Sequence, residues 1–285
     1  MTDITPLANN FGPGICRTMD TGVASERNSH RAFAGVSALL FATSAALTIV
    51  WCGPMSAMGG MPMPGGWTMS MMWMRMPGQT WLAAAASFAA MWTVMMVAMM
   101  MPSLAPTLWH YRETVSRAGE RRLGRLTALV GVAYFLVWTV LGMAVFPVGV
   151  AMAAVEMRCR AVAGAVPMTA GLVVLMAAAF QFTSWKARHL GCCREAPGRG
   201  RTLPADAATA WRVGLRLGLH CCCGCAGLTA ILLVVGIMDL RAMAVITAAI
   251  AAERAAPAGE RVARAIGAVA AGAGFFLVAR AAGLM

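Results

Sequence analysis

Long apolar runs separated by short basic segments dominate this chain. Stretches near the roughly 20 apolar residues that an α-helix needs to cross a bilayer fall at 33–52, 81–101, 127–153, 167–185, 213–237, 240–252 and 265–282. The sixth is cut short by Glu253 and Arg254, so it reads as a short or tilted helix closing a hairpin with the fifth. None shows the strict alternation of a barrel strand. The pattern therefore predicts an all-α, polytopic transmembrane helical bundle of about seven helices, six to seven. Residues 1–32 are polar with scattered Gly and Pro and lack the ordered regions of a signal peptide. They read as a disordered cytoplasmic tail ahead of a transmembrane domain at 33–285.

Composition agrees with that reading. Of the 285 residues, 60% are hydrophobic and only 12% charged, more apolar surface than one soluble core of ordinary size can hide. The formal net charge of +12 sits in blocks between the runs. Every second connection is basic, with Arg112, Arg117, Arg121, Arg122 and Arg125 in one and Lys186, Arg188, Arg194, Arg199, Arg201 and Arg212 in another. By the positive-inside rule, loops 103–126 and 186–212 are cytoplasmic and loop 53–78 is external. The chain then spans a cell inner membrane with a cytoplasmic N-terminus. Basic blocks of this kind suit anionic lipid headgroups rather than nucleic acid. Trp51, Trp67, Trp73 and Trp81 mark the outer interface, while Trp185 and Lys186 read as inner anchors, the lysine snorkelling. Asp239 beside Arg241 reads as an external salt bridge, and Glu253 as a helix-end charge pairing Arg254 or Arg212.

Candidate chemistry is concentrated in sulfur. Cys221, Cys222, Cys223 and Cys225 follow His220 directly, and His189, Cys192 and Cys193 lie just beyond the fourth run. One cysteine in a membrane helix is ordinary packing material; four in five positions are not. A reducing cytosol argues against a disulfide framework. At about 100° per residue, Cys221, Cys222 and Cys225 share one arc of a helix and Cys223 leaves it. Gly224 leaves room beside that arc for a close approach.

Methionine is the second soft donor. Of 25 methionines, many crowd the Gly/Pro-rich segment 53–78, which reads as loop, and others stripe the second run. There Met91, Met95 and Met99 share one face, flanked by Met96 and Met100. A thioether suits Cu(I) and is a poor ligand for Zn(II). A helical stripe of methionines is also ordinary packing, whereas thioethers in an external loop have no core to fill.

The ordered motifs Met91-Trp92-x-x-Met95-x-x-Ala98-Met99-Met100-Met101-Pro102, Gln181-Phe182-Thr183-x-x-Lys186-x-x-His189-Leu190-x-x-Cys193-Arg194, Gly218-Leu219-His220-Cys221 and Gly236-x-Met238-Asp239, with Glu253, resemble domain-of-unknown-function family 2182. That family is described as predicted metal-binding integral membrane proteins. The resemblance covers roughly 80–255 and implies a polytopic bundle and a metal, with no established activity. This chain departs from the family pattern in carrying His189 at a position usually Cys, and Cys-Cys-Cys-Gly-Cys where the family runs Cys-x-Gly-Cys-Cys.

Gly-rich phosphate loops, Gly-x-Ser-x-Gly and His-Glu-x-x-His are all missing from the sequence, so the reading is a binding protein and not an enzyme. The expected function is a membrane Cu(I)-binding protein for copper transport or delivery to a metallochaperone or metalloenzyme acceptor. Its expected ligands are Cys221, Cys222, Cys225, His189, Cys193, Cys192 and His220, fed through Met95 and Met99. Zinc is the alternative metal. A membrane thiol-disulfide redox protein and a non-catalytic subunit of a membrane complex are the alternative functions.

Overall fold

The fold is that of a computed structural model, which describes residues 13–57, 60–75, 78–116, 122–194 and 204–284, with side chains from Asn28 onward except at 54–57, 71, 193 and 194. Its elements in order are α1 (Pro13–Ala57), β1 (Met61–Met63), β2 (Trp67–Met69), α2 (Trp81–Ser116), α3 (Leu123–Arg158), α4 (Arg160–Gln181), α5 (Ser184–Arg194), α6 (Ala207–Val235), α7 (Leu240–Ala255) and α8 (Gly259–Ala281). Two compact units divide the chain, residues 1–40 and residues 41–285, the second holding everything from the latter part of α1 onward. The all-α bundle expected from the apolar pattern is present.

Among the described residues, six helices are long and apolar enough to cross a membrane: Asn28–Gly53 within α1, and α2, α3, α4, α6 and α8. Helix α7, with 16 residues, is not among them. Large apolar side chains such as Leu82, Val132, Val140, Val148, Met176 and Val269 project outward from these helices.

Within residues 41–285 the helices meet through small residues, which allow close backbone approach. Gly214 and Gly218, one turn apart on α6, seat against α3; a Cβ on Gly218 would lie 3.0 Å from the Tyr134 carbonyl oxygen. Gly227 brings α6 against α4, and Gly171, Gly267 and Gly274 lie in the contact between α4 and α8. Trp92 of α2 fills the space left by Gly142 of α3 and donates its indole N–H to the Trp138 carbonyl at 2.8 Å. A single extended residue, Cys159, links α3 to α4.

Several boundaries differ from the sequence reading. Helix α1 begins at Pro13, well inside the segment read as tail; residues 1–12 lie outside the described residues. The apolar run ending at 101 does not end its helix. Helix α2 continues through Pro102 and Pro106 to Ser116, each proline forgoing one helix hydrogen bond, which neighbouring groups can compensate. The Met-rich segment is partly ordered: β1 and β2 pair antiparallel, Met61 opposite Met69, about a turn at Gly65 and Gly66, both with positive φ. Trp67 pins this hairpin by donating to the Ala163 carbonyl at 2.8 Å, and Trp73 stacks near Phe88 over Gly149. Asp239 makes no salt bridge among the described residues. Its carboxylate caps α7, accepting from the backbone N–H groups of Arg241 and Ala242.

Candidate metal centre

Cys221 lies about four turns into α6 and is fully buried, as is Cys225 one turn on. Their i, i+4 spacing turns both thiols to the same side, and the two sulfurs lie 3.9 Å apart. Opposite them, α2 contributes Met100, 1% exposed, whose Sδ is 3.9 Å from Cys221 Sγ. Three buried soft donors from two helices thus meet around Cys221.

Two polar groups address those sulfurs. The Tyr134 hydroxyl of α3 donates to Cys221 Sγ at 2.9 Å. The Arg254 guanidinium, at the end of α7, approaches Cys225 Sγ through Nη2 at 3.8 Å. Beside them runs a buried polar chain. Lys186 of α5 donates to the Gly224 carbonyl at 2.6 Å and pairs with Glu253 of α7 at 2.7 Å, both side chains being 2% exposed. Gln181, at the end of α4, donates to the other Glu253 oxygen at 2.9 Å. The Gly224 carbonyl takes the ammonium; a Cβ at this position would meet that of His189 at 3.6 Å, an ordinary contact, so the approach of α5 does not itself require glycine here.

The reading of Lys186 as a snorkelling anchor is therefore corrected. Helix α5 folds back onto α6, which turns the lysine inward, while the neighbouring Trp185 remains exposed. Glu253 likewise pairs with Lys186 rather than with Arg254 or Arg212.

The other expected ligands are placed as follows. His189 and His220 lie side by side with ring centroids 5.5 Å apart, and His189 stacks on Trp185 while its Nδ1 is 3.0 Å from the Trp185 carbonyl. Both histidines are partly accessible, on the α5 side of α6. Cys222 and Cys223 are half-buried, and Cys192 is exposed. The side chain of Cys193 lies outside the described residues. Met95 and Met99 are buried in α2, and Met100, in the adjacent phase, meets the Cys221 thiol. Among the described residues, no three or more His, Cys, Asp or Glu side chains group as a metal site; the third soft donor is a thioether. No cysteine among them is in a disulfide. Met100 was visible in the sequence as a flanking methionine. Tyr134 carried no signal, because a lone tyrosine in an apolar run reads as packing.

A helical bundle with six candidate spans among the described residues carries a buried thiol–thioether cluster, a donor set of the kind that suits soft metal ions. Residues 89–277 match the family model PpoB2, copper chaperone, so the chain belongs to that copper chaperone family. This match corrects the resemblance to family 2182: the family shown is PpoB2, and it supplies the copper connection that the earlier resemblance left as an unspecified metal. No curated protein and no solved structure matches the chain.

Proposed function

We propose that this protein is a membrane-embedded copper chaperone that holds Cu(I) between Cys221, Cys225 and Met100 and passes it to an acceptor protein. One observation carries the reading. An ion bonded to three sulfurs at about 2.3 Å in a trigonal plane separates those sulfurs by about 4 Å, and the two recorded sulfur–sulfur distances, Met100 to Cys221 and Cys221 to Cys225, are both 3.9 Å. Soft donors favour Cu(I) over Zn(II), the thioether most of all. Tyr134 supports the reading by offering a hydrogen bond to the thiolate that metal binding creates.

The apolar runs of α2, α4 and α7 give out at Met101, Gln181 and Ala252, close to this cluster. With the basic connections on the cytoplasmic side, the site lies at the inner edge of the hydrocarbon layer. That is a sensible place to meet a soluble partner. The half-accessible His189 and His220 stand beside it on the same face as α5. The protein holds and transfers the ion; the buried sulfurs give no reason to assign it a chemical conversion.

The test is anaerobic Cu(I) titration of the detergent-purified protein against a chromophoric chelator, with X-ray absorption at the copper edge. Wild type is expected to bind one tight Cu(I) with three sulfur neighbours. Cys221→Ser with Cys225→Ser should lose it, and Met100→Leu should retain it with two. Nitrogen and oxygen neighbours alone, or unchanged binding in the double serine variant, overturns the assignment.

A further inference from the structure

His189 on α5 and His220 on α6 form a second group of metal-binding side chains beside the sulfur cluster. Their ring centroids lie 5.5 Å apart, with the planes inclined by 55°. Two imidazoles that bind one ion through nitrogen at about 2.0 Å, with a tetrahedral to trigonal angle at the ion, place their centroids about 5–5.5 Å apart. The pair already stands at that separation. The His189 ring is also held in the form a ligand needs. Its Nδ1 is 3.0 Å from the Trp185 carbonyl, and a carbonyl only accepts, so Nδ1 carries the proton and the lone pair of the neutral ring is on Nε2. Metal-binding histidines are oriented by just such a bond from the other ring nitrogen. Trp185 further fixes the ring by stacking on it, centroids 4.6 Å apart and planes 25° from parallel. Cys221 and Cys225 are buried, whereas both histidines are partly accessible.

We propose that His189 and His220 together bind Cu(I) through imidazole nitrogen, as a weaker and accessible site from which the ion leaves for the acceptor. His220 directly precedes Cys221 in α6, so an ion crossing between the two sites moves no further than about the 10–12 Å width of one helix. Imidazole takes copper but is a less soft donor than thiolate. The pair therefore holds the ion less tightly than the buried sulfurs, and its exposure lets a ligand of the acceptor displace it. Copper stays Cu(I) throughout: the bonds to Cys221, Cys225 and Met100 break, two bonds to nitrogen form, and the two thiolates take protons back from water. The relay rests on the reading of the three sulfurs as the tight site; the histidine site does not.

The test adds excess Cu(I) anaerobically to the full-length protein, follows binding by chelator competition and X-ray absorption at the copper edge, and times release to a chromophoric chelator by stopped flow. Wild type should bind a second ion more weakly than the first, and Cys221→Ser with Cys225→Ser should keep that weaker ion alone, with nitrogen neighbours. His189→Leu and His220→Leu should each lower its affinity at least about tenfold and slow release of the sulfur-bound ion to a similar degree. His189→Asn, which can still reach the Trp185 carbonyl but has no Nε2, should behave like His189→Leu and replaces it if the leucine variant does not fold; His220→Asn does the same for the other ring. No second ion, one with sulfur neighbours only, or one that survives both histidine changes overturns the histidine site and leaves the sulfur site standing. A histidine-dependent second ion with an unchanged release rate overturns the relay alone. A histidine-bound ion in wild type with none on sulfur overturns the tight site and the relay together.

Discussion

Lys186 and Glu253 set the terms at the residue scale. Each is buried at a depth where a lone charge is unfavourable, and each is tolerable only because the other is there. Lys186→Met alone leaves a buried carboxylate with only Gln181 to satisfy it and should cost about 3–5 kcal/mol. Lys186→Met combined with Glu253→Leu should cost clearly less than the two single changes added. Thermal unfolding of all three variants in detergent measures the difference; simple additivity would mean that the pair is not coupled. At this scale sequence reading misassigned both residues. Nothing in Trp185-Lys186 or Glu253-Arg254 distinguishes an interfacial anchor from an inward-facing pair, because the direction of each side chain is set by how α5 and α7 pack on α6.

The elements rest on two local devices, one polar and one steric. Asp206 caps α6 by accepting from the Thr209 backbone N–H, and its hydrogen bonds with Thr209 hold its carboxyl below the usual carboxylate range. A depressed folded value means that the cap contributes above the ordinary carboxylate pKa and is lost as pH falls through the lowered one. Protection from hydrogen exchange in the first turn of α6, taken relative to the unstructured rate at each pH, should therefore fall on acidification, and Asp206→Ala should show the low protection throughout. On the steric side, Gly214 and Gly218 let α6 touch α3, which in turn brings Tyr134 to Cys221. Gly218→Leu should push the helices apart and weaken Cu(I) affinity at least tenfold without touching a ligand. The same competition titration reads this; unaffected affinity would separate the site from the α3–α6 contact. The sequence reading did not single out Gly214 and Gly218 as a contact, because a glycine's partner helix is set only by packing.

At the scale of the whole molecule, orientation decides which side the sulfur cluster serves. Cys159, between α3 and α4, and Cys192, in α5, are both exposed, and they sit in connections that the basic pattern assigns to opposite sides. A membrane-impermeant maleimide should label Cys159 in right-side-out vesicles and Cys192 in inverted ones, with Cys159→Ser and Cys192→Ser identifying each signal. The reverse pattern would place the cluster at the outer face and redirect delivery away from the cytosol.

The run lengths, the helical class and the wealth of soft donors follow from the sequence itself, because hydropathy over about 20 residues and the identity of sulfur side chains need no tertiary context. The placement of Cys221 and Cys225 as neighbours on one face follows from helical phase as well. Their other partners do not. Met100 reaches Cys221, His189 and His220 lie against each other, and Tyr134 and Arg254 reach the sulfurs from α3 and α7. Those choices depend on rotations and crossings of helices far apart in the chain, and such contacts are settled by packing between surfaces, not by any residue's own preference.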